Sequence, residues 1–212
     1  MLPVMLALLS ACATTPRTGA VKIAPDDASW DAVLKDHTRR AEPFNGTIRE
    51  ADLRATLVTP RLRKAFIAER TELHGRFARE AERELVALGD VDEGVDAPMK
   101  SAPESEGQVV VFIALYVTDQ KDRDIAASYT IWDTRLVRGS ASVKPLKIET
   151  IRMSPAVVAM FPYVDRFDDL YIAHFPLVDL QGHSFLTPGG DPLRLEVKSA
   201  LADAVVEWTL TE

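Results

Sequence analysis

The stretch Gln108–Val117, QVVVFIALYV, decides the fold. In an extended chain Val109, Val111, Ile113 and Leu115 point to one face and Val110, Phe112, Ala114 and Tyr116 to the other. Both faces are apolar, so this segment reads as a strand covered on both sides, inside a layered structure and not at its surface.

Downstream of it the pattern stays strand-like. Tyr129 to Arg138 reads as a second strand, with Trp132 and Leu136 facing inward, and Leu146 to Met153 as a third, entered through Pro145 at its edge. Ser154-Pro155 opens a helical turn through Ala156 to Met160, and Leu170 to Leu177 is again a strand. Turn residues flank a short Ser184 to Leu186 piece. The last two strands alternate cleanly: Leu193, Leu195 and Val197 oppose Arg194, Glu196 and Lys198, and Ala204, Val206, Trp208 and Leu210 oppose Glu207 and Thr209. Seven short strands separated by turns over residues 108–212 predict a two-sheet antiparallel β-sandwich of Ig-like or transthyretin-like architecture, with Trp132 and Trp208 in its core.

Upstream the signals are helical. Thr59-Pro60 pairs an N-cap with proline at the first helical position, and Gly89 supplies a C-terminal stop, so a long helix is expected from Pro60 to Leu88. Leu62, Phe66, Leu73, Phe77, Ala81, Leu85 and Leu88 form one stripe of it, which would pack on the sandwich and make the chain α+β. Ser29 caps a shorter helix in which Trp30, Val33, Leu34, His37 and Ala41 share a face, ended by Pro43. A strand lies within Gly46 to Thr59, carried by Leu53, Ala55 and Leu57. Residues 29–107 thus read as a helical region with one strand and an acidic loop, and 108–212 as the sandwich.

The chain has 47% hydrophobic and 27% charged residues, the balance of a folded protein. Its net charge is −7, of which the Gly89–Gly107 loop carries −5. The remainder is near neutral and offers no basic face, so nucleic acid is not an expected partner.

At the N-terminus, residues 1–11 are apolar and uncharged, too short to span a bilayer, which needs roughly 20 residues. They lead to Leu9-Ser10-Ala11-Cys12, and Cys12 is the only cysteine. This run resembles the lipobox of bacterial lipoproteins. The resemblance implies cleavage before Cys12, acylation of that residue with two or three chains, and stable attachment to a membrane, since one chain alone binds only marginally. Ala13 stands where Asp would imply inner-membrane retention, so the resemblance implies an outer-membrane, periplasm-facing or surface-exposed lipoprotein. Residues 12–28, rich in Thr, Pro and Gly at their start, read as a tether with a reach of roughly 20 to 24 Å.

Candidate chemistry is sparse. Gly182-His183-Ser184 resembles the start of a hydrolase nucleophile elbow, but Leu186 occupies the position that needs glycine. Asp119, Asp122 and Asp124 in one turn, and Asp165, Asp168 and Asp169 in another, are candidate calcium ligands, with Lys121, Arg123 and Arg166 interleaved. His37, His74, His174 and His183 form no ligand pair at metal-binding spacing. No cofactor motif is present. Phe161, Tyr163 and Phe167, in an irregular proline-containing connection, are the candidate partner surface. The sequence therefore predicts a lipid-anchored envelope protein acting as a structural or protein-binding module. The alternatives are an envelope hydrolase or metal-dependent enzyme using loop carboxylates with His174 or His183, and a carrier of a small apolar ligand.

Overall fold

The computed structural model describes residues 19–69, 107–119 and 121–212. Cys12, the first part of the expected tether, His74, the stripe from Leu73 to Leu88 and nearly all of the acidic loop lie outside the described residues.

The elements run β1 (Ala20–Lys22), α1 (Trp30–His37), β2 (Thr38–Ala41), β3 (Phe44–Asn45), β4 (Ile48–Arg49), β5 (Ala51–Val58), α2 (described over 60–69), β6 (Gln108–Val117), β7 (Asp133–Arg138), β8 (Ala141–Val143), β9 (Lys147–Ile151), α3 (Pro155–Met160), β10 (Asp169–Pro176), β11 (Leu193–Lys198) and β12 (Asp203–Thr211). Two five-stranded sheets form, in the orders β1-β12-β11-β7-β8 and β2-β5-β6-β10-β9, and β3-β4 is a separate hairpin. All pairings are antiparallel except β1 on β12.

The two faces of β6 explain the layering. Val109, Val111, Ile113, Leu115 and Val117 pack against the other sheet, meeting Leu195, Val206, Trp132 and Trp208 in one core cluster. Val110, Phe112 and Ala114 belong to a second cluster with Trp30, Leu62, Phe66, Val157 and Phe161, contributed by the helices and the end of α3. The molecule is a β-sandwich with helices covering one outer face, so β6 is buried on both sides as its sequence requires.

Four expectations need correction or trimming. The helix capped at Ser29 ends at His37 and not near Ala41: Thr38 adopts φ −94, ψ 135, and residues 38–41 become β2, gaining ladder bonds to β5. The tether expected over 12–28 is docked at its middle, because Val21 is fully buried and Ala20–Lys22 pair with Thr209–Thr211. The boundary between 107 and 108 is not a domain boundary, since β5 and β6 are neighbours over eight residue pairs. Ser184 contributes only an isolated bridge to Val178, not a strand. The Thr59-Pro60 start is as expected: the Leu62 N–H donates to Thr59 Oγ1 at 3.2 Å.

Candidate functional site

β5 carries leucine and alanine on its inner face, but Asp52, Arg54 and Thr56 on the face toward the helical layer. On the β6 side its neighbours there include Phe112 and Ala114, so these three side chains require polar partners, and β2 and the surrounding loops supply them. Arg40, one strand over, donates from Nε and NH2 to both Asp52 oxygens at 2.8 and 2.6 Å, the bidentate geometry that suits a guanidinium. Arg49 NH1 reaches Asp52 at 3.3 Å and Glu42 at 3.1 Å. Arg54 donates to Asp168 at 2.9 Å and to the Tyr163 carbonyl. Thr56 Oγ1 joins Tyr163 OH at 2.6 Å and Thr38 Oγ1 at 2.7 Å.

Three guanidiniums and three carboxylates therefore balance one another. Burial pushes the Asp168 carboxyl above its ordinary range, against the Asp165 N–H and Arg54, which favour its charged form. Burial likewise pushes the Tyr163 phenol up. Hydrogen bonding to Asp52 raises Arg40. Each group is committed to a neighbour within the network.

The network is the floor of a groove of about 660 Å³. One wall is α1, with Asp31, Leu34 and Lys35; the base is β2; the far side is Asp203 and Val205 of β12, with Pro162 and Tyr163 closing one end. That volume lies within the roughly 300–1,000 Å³ of small-ligand sites, and the lining mixes both signs of charge with apolar side chains. Arg39 crosses beneath it, donating to the carbonyls of Asp36 at 2.8 Å, Glu207 at 3.0 Å and Gly19.

The candidates from sequence are dispersed. His183 Nδ1 sits 3.2 Å from Asp179, whose pKa is lowered chiefly by the His183 backbone N–H. Ser184 Oγ accepts the Leu186 N–H at 3.2 Å, closing a local turn. They border a second hollow of about 610 Å³, ordered by Arg138 donating to the carbonyls of Phe185 at 2.8 Å, Asp191 at 3.0 Å and Gly189. His174 lies elsewhere, between Gln108 at 2.9 Å and Glu149 at 3.3 Å. Asp119 and Asp124 accept N–H groups two residues on, and Asp122 offers its carbonyl to the Trp132 indole. Asp165 accepts the Phe167 N–H, Asp168 joins the network, and Asp169 pairs with Arg123 at 3.2 Å. Among the described residues no three His, Cys, Asp or Glu side chains could together hold a metal ion.

The aromatic trio splits. Phe161 is fully buried, stacked on Phe112 with centroids 4.2 Å apart, and leaves the candidate partner surface because its ring is core. Tyr163 is half-buried and its hydroxyl turns inward to Thr56. Phe167 alone is open, 59% exposed, with the Arg166 guanidinium over its ring at 4.6 Å.

Asp52, Arg54 and Arg40 were not singled out by sequence reasoning. The signal was present in the polar triplet opposite Leu53, Ala55 and Leu57, on a strand whose neighbour is apolar on both faces. Comparison with protein-family models, with curated proteins and with solved structures gives no match.

Proposed function

We propose that this chain is a lipid-anchored envelope protein, attached through acylated Cys12 and facing the periplasm or the surface from the outer membrane. Its sandwich serves as a non-catalytic binding scaffold of the general Ig-like or transthyretin-like kind, with the groove over Arg54 as its binding site. The observation that carries the binding reading is the groove itself: an open, mixed-polarity hollow laid on a floor of mutually neutralised charges. Such a floor fixes the positions of Arg40, Arg54 and Tyr163 before a partner arrives, which lowers the ordering cost of association. Support for the anchor is the lipobox resemblance. Seven residues, 13–19, separate Cys12 from β1. At full extension they reach at most about 25 Å, so the body would stay close to the membrane.

Two measurements test this. Cys12→Ala is expected to abolish labelling by a fatty-acid probe and to release the protein from membranes; unchanged membrane association defeats the anchor. A photo-reactive side chain at Lys35 is expected to yield a discrete envelope adduct that Val205→Trp, which fills the groove, removes. An adduct that survives Val205→Trp argues against the groove.

A further inference from the structure

Strand β12 is only partly covered along its outer edge. β1 pairs with it in parallel, Ala20–Lys22 beside Thr209–Thr211, and among the described residues no strand lies beside Asp203–Glu207 on that side. The Thr211 carbonyl accepts the Ile23 N–H there, and the Glu207 carbonyl accepts Arg39 Nε. The Leu210 carbonyl, one residue out of phase, instead takes the Gly189 N–H, from the loop that leads into β11. Backbone groups alternate along a strand, so Asp203 and Val205 present their N–H and C=O groups on the same side as Glu207. Both residues line the groove, and its β12 side is therefore a strand edge open to pairing.

The chain enters β1 from this groove. The Gly19 carbonyl is held by Arg39 NH2, and Arg39 is itself a lining residue. A Cβ on Gly19 would stand 3.4 Å from that nitrogen, tight enough to account for a glycine there. Because the pairing is parallel, extending the register that sets Ala20 beside Thr209 puts Thr18 beside Glu207, Pro16 beside Val205 and Thr14 beside Asp203.

Three properties of residues 13–18, ATTPRT, suit that register. The N–H groups of Thr15 and Arg17 fall in phase with that of Ile23, and so meet the Asp203 and Val205 carbonyls. Pro16, which has no N–H to give, falls where the backbone turns away from β12, the position an edge strand tolerates. Arg17 is the segment's one charge, and Asp31 and Asp203 line the groove without an ion pair among the described residues, against a single such cation, Lys35.

We propose that residues 14–18 extend β1 along β12 and fill that side of the groove, forming a strap that a partner must displace to reach Val205. This goes beyond the binding reading and does not depend on acylation. It names the chain's own segment as the resident of the groove and makes partner binding a competition with it.

Disulfide trapping tests it. Cys12→Ser removes the only cysteine from the full chain. Thr14→Cys is then combined with Asp203→Cys in one protein and with Glu212→Cys in another, and each is oxidised in a glutathione buffer without any partner. A loose segment favours exposed Glu212, three residues from the Thr209 that Ala20 meets, over Asp203, six residues from it. The strap reverses this order, and the 14–203 disulfide is expected to form several-fold faster than the 14–212 disulfide. Equal or opposite rates overturn the proposal, and a 14–203 disulfide found only between two chains overturns it by giving the edge to a second copy. Amide hydrogen exchange supplies a readout that needs no cysteine: replacing residues 14–18 with Gly-Ser-Gly-Ser-Gly is expected to speed exchange at the Val205 and Glu207 N–H groups by roughly tenfold. Unchanged exchange at both also overturns it. The Lys35 photo-adduct reads partner capture and these experiments, run without a partner, read the segment, so the two readings fail separately.

Discussion

His37 has no exposed surface, and both ring nitrogens are engaged: Nδ1 with the Val33 carbonyl and Nε2 with Thr59 Oγ1, each at 2.8 Å. A neutral ring protonated on Nδ1 satisfies both contacts, donating to Val33 and accepting from the Thr59 hydroxyl, which itself accepts the Leu62 N–H. Burial depresses the pKa to about 4. The unfolded chain therefore binds the proton first, at about pH 6.5, and the stability conferred by neutral His37 is full above that value and lost as pH falls toward 4. Urea denaturation should show a loss of roughly 2–3 kcal/mol between pH 7 and pH 4.5 attributable to this residue; His37→Gln should flatten that part of the profile. The Arg54–Asp168 pair makes a second residue-level case. Arg54→Ala leaves a buried carboxylate without its cation and should cost about 3–5 kcal/mol, whereas Phe167→Ala, at an open position, should fall within about 0.5 kcal/mol of zero.

Among the elements, α3 is short and depends on its ends. Ser154 takes the Val157 N–H at 3.2 Å and Pro155 occupies the first turn, so Ser154→Ala should lower stability by about 1 kcal/mol in equilibrium unfolding. Its C-terminal neighbour Phe161 stacks on Phe112 and meets Trp30 edge-on at 5.8 Å, while the Trp30 indole donates to the Met160 carbonyl at 2.9 Å. Phe161→Ala should therefore cost about 3–5 kcal/mol, a contrast with Phe167→Ala that no reading of the aromatic cluster as one surface would give. Helix α1 stops where the sheet competes for its backbone. Beyond His37, Thr38 bonds Thr56 and Arg40 grips Asp52, interactions available only in the extended state. Propensity and periodicity allowed the helix to continue, and tertiary pairing overrode them.

For the whole molecule, the two core clusters meet across the helix-covered sheet, and β6 contributes to both. Removing residues 1–107 would strip β6 of β5 and remove α1 and α2 from its outer face. Residues 108–212 alone are thus expected to give no cooperative thermal transition, checked by circular dichroism; a sharp transition would restore the idea of a separate sandwich domain. No helix among the described residues is long and apolar enough to cross a membrane.

By itself, the sequence determined strands β5, β6, β7, β9, β10, β11 and β12, the burial of Gln108–Val117 on both faces, the inward placement of Trp132 and Trp208, and the Thr59 and Ser154 helix starts. Each is a local matter of side-chain periodicity or of a hydroxyl beside an unpaired N–H. Only the tertiary structure decided that Thr38–Ala41 is a strand, that Ala20–Lys22 docks on β12, that Phe161 is core while Phe167 is not, and that Asp52, Arg54 and Asp168 share one network. Those outcomes depend on partners distant along the chain, as between Arg54 and Asp168. The free energy of such contacts comes from excluding water between surfaces that no local pattern brings together.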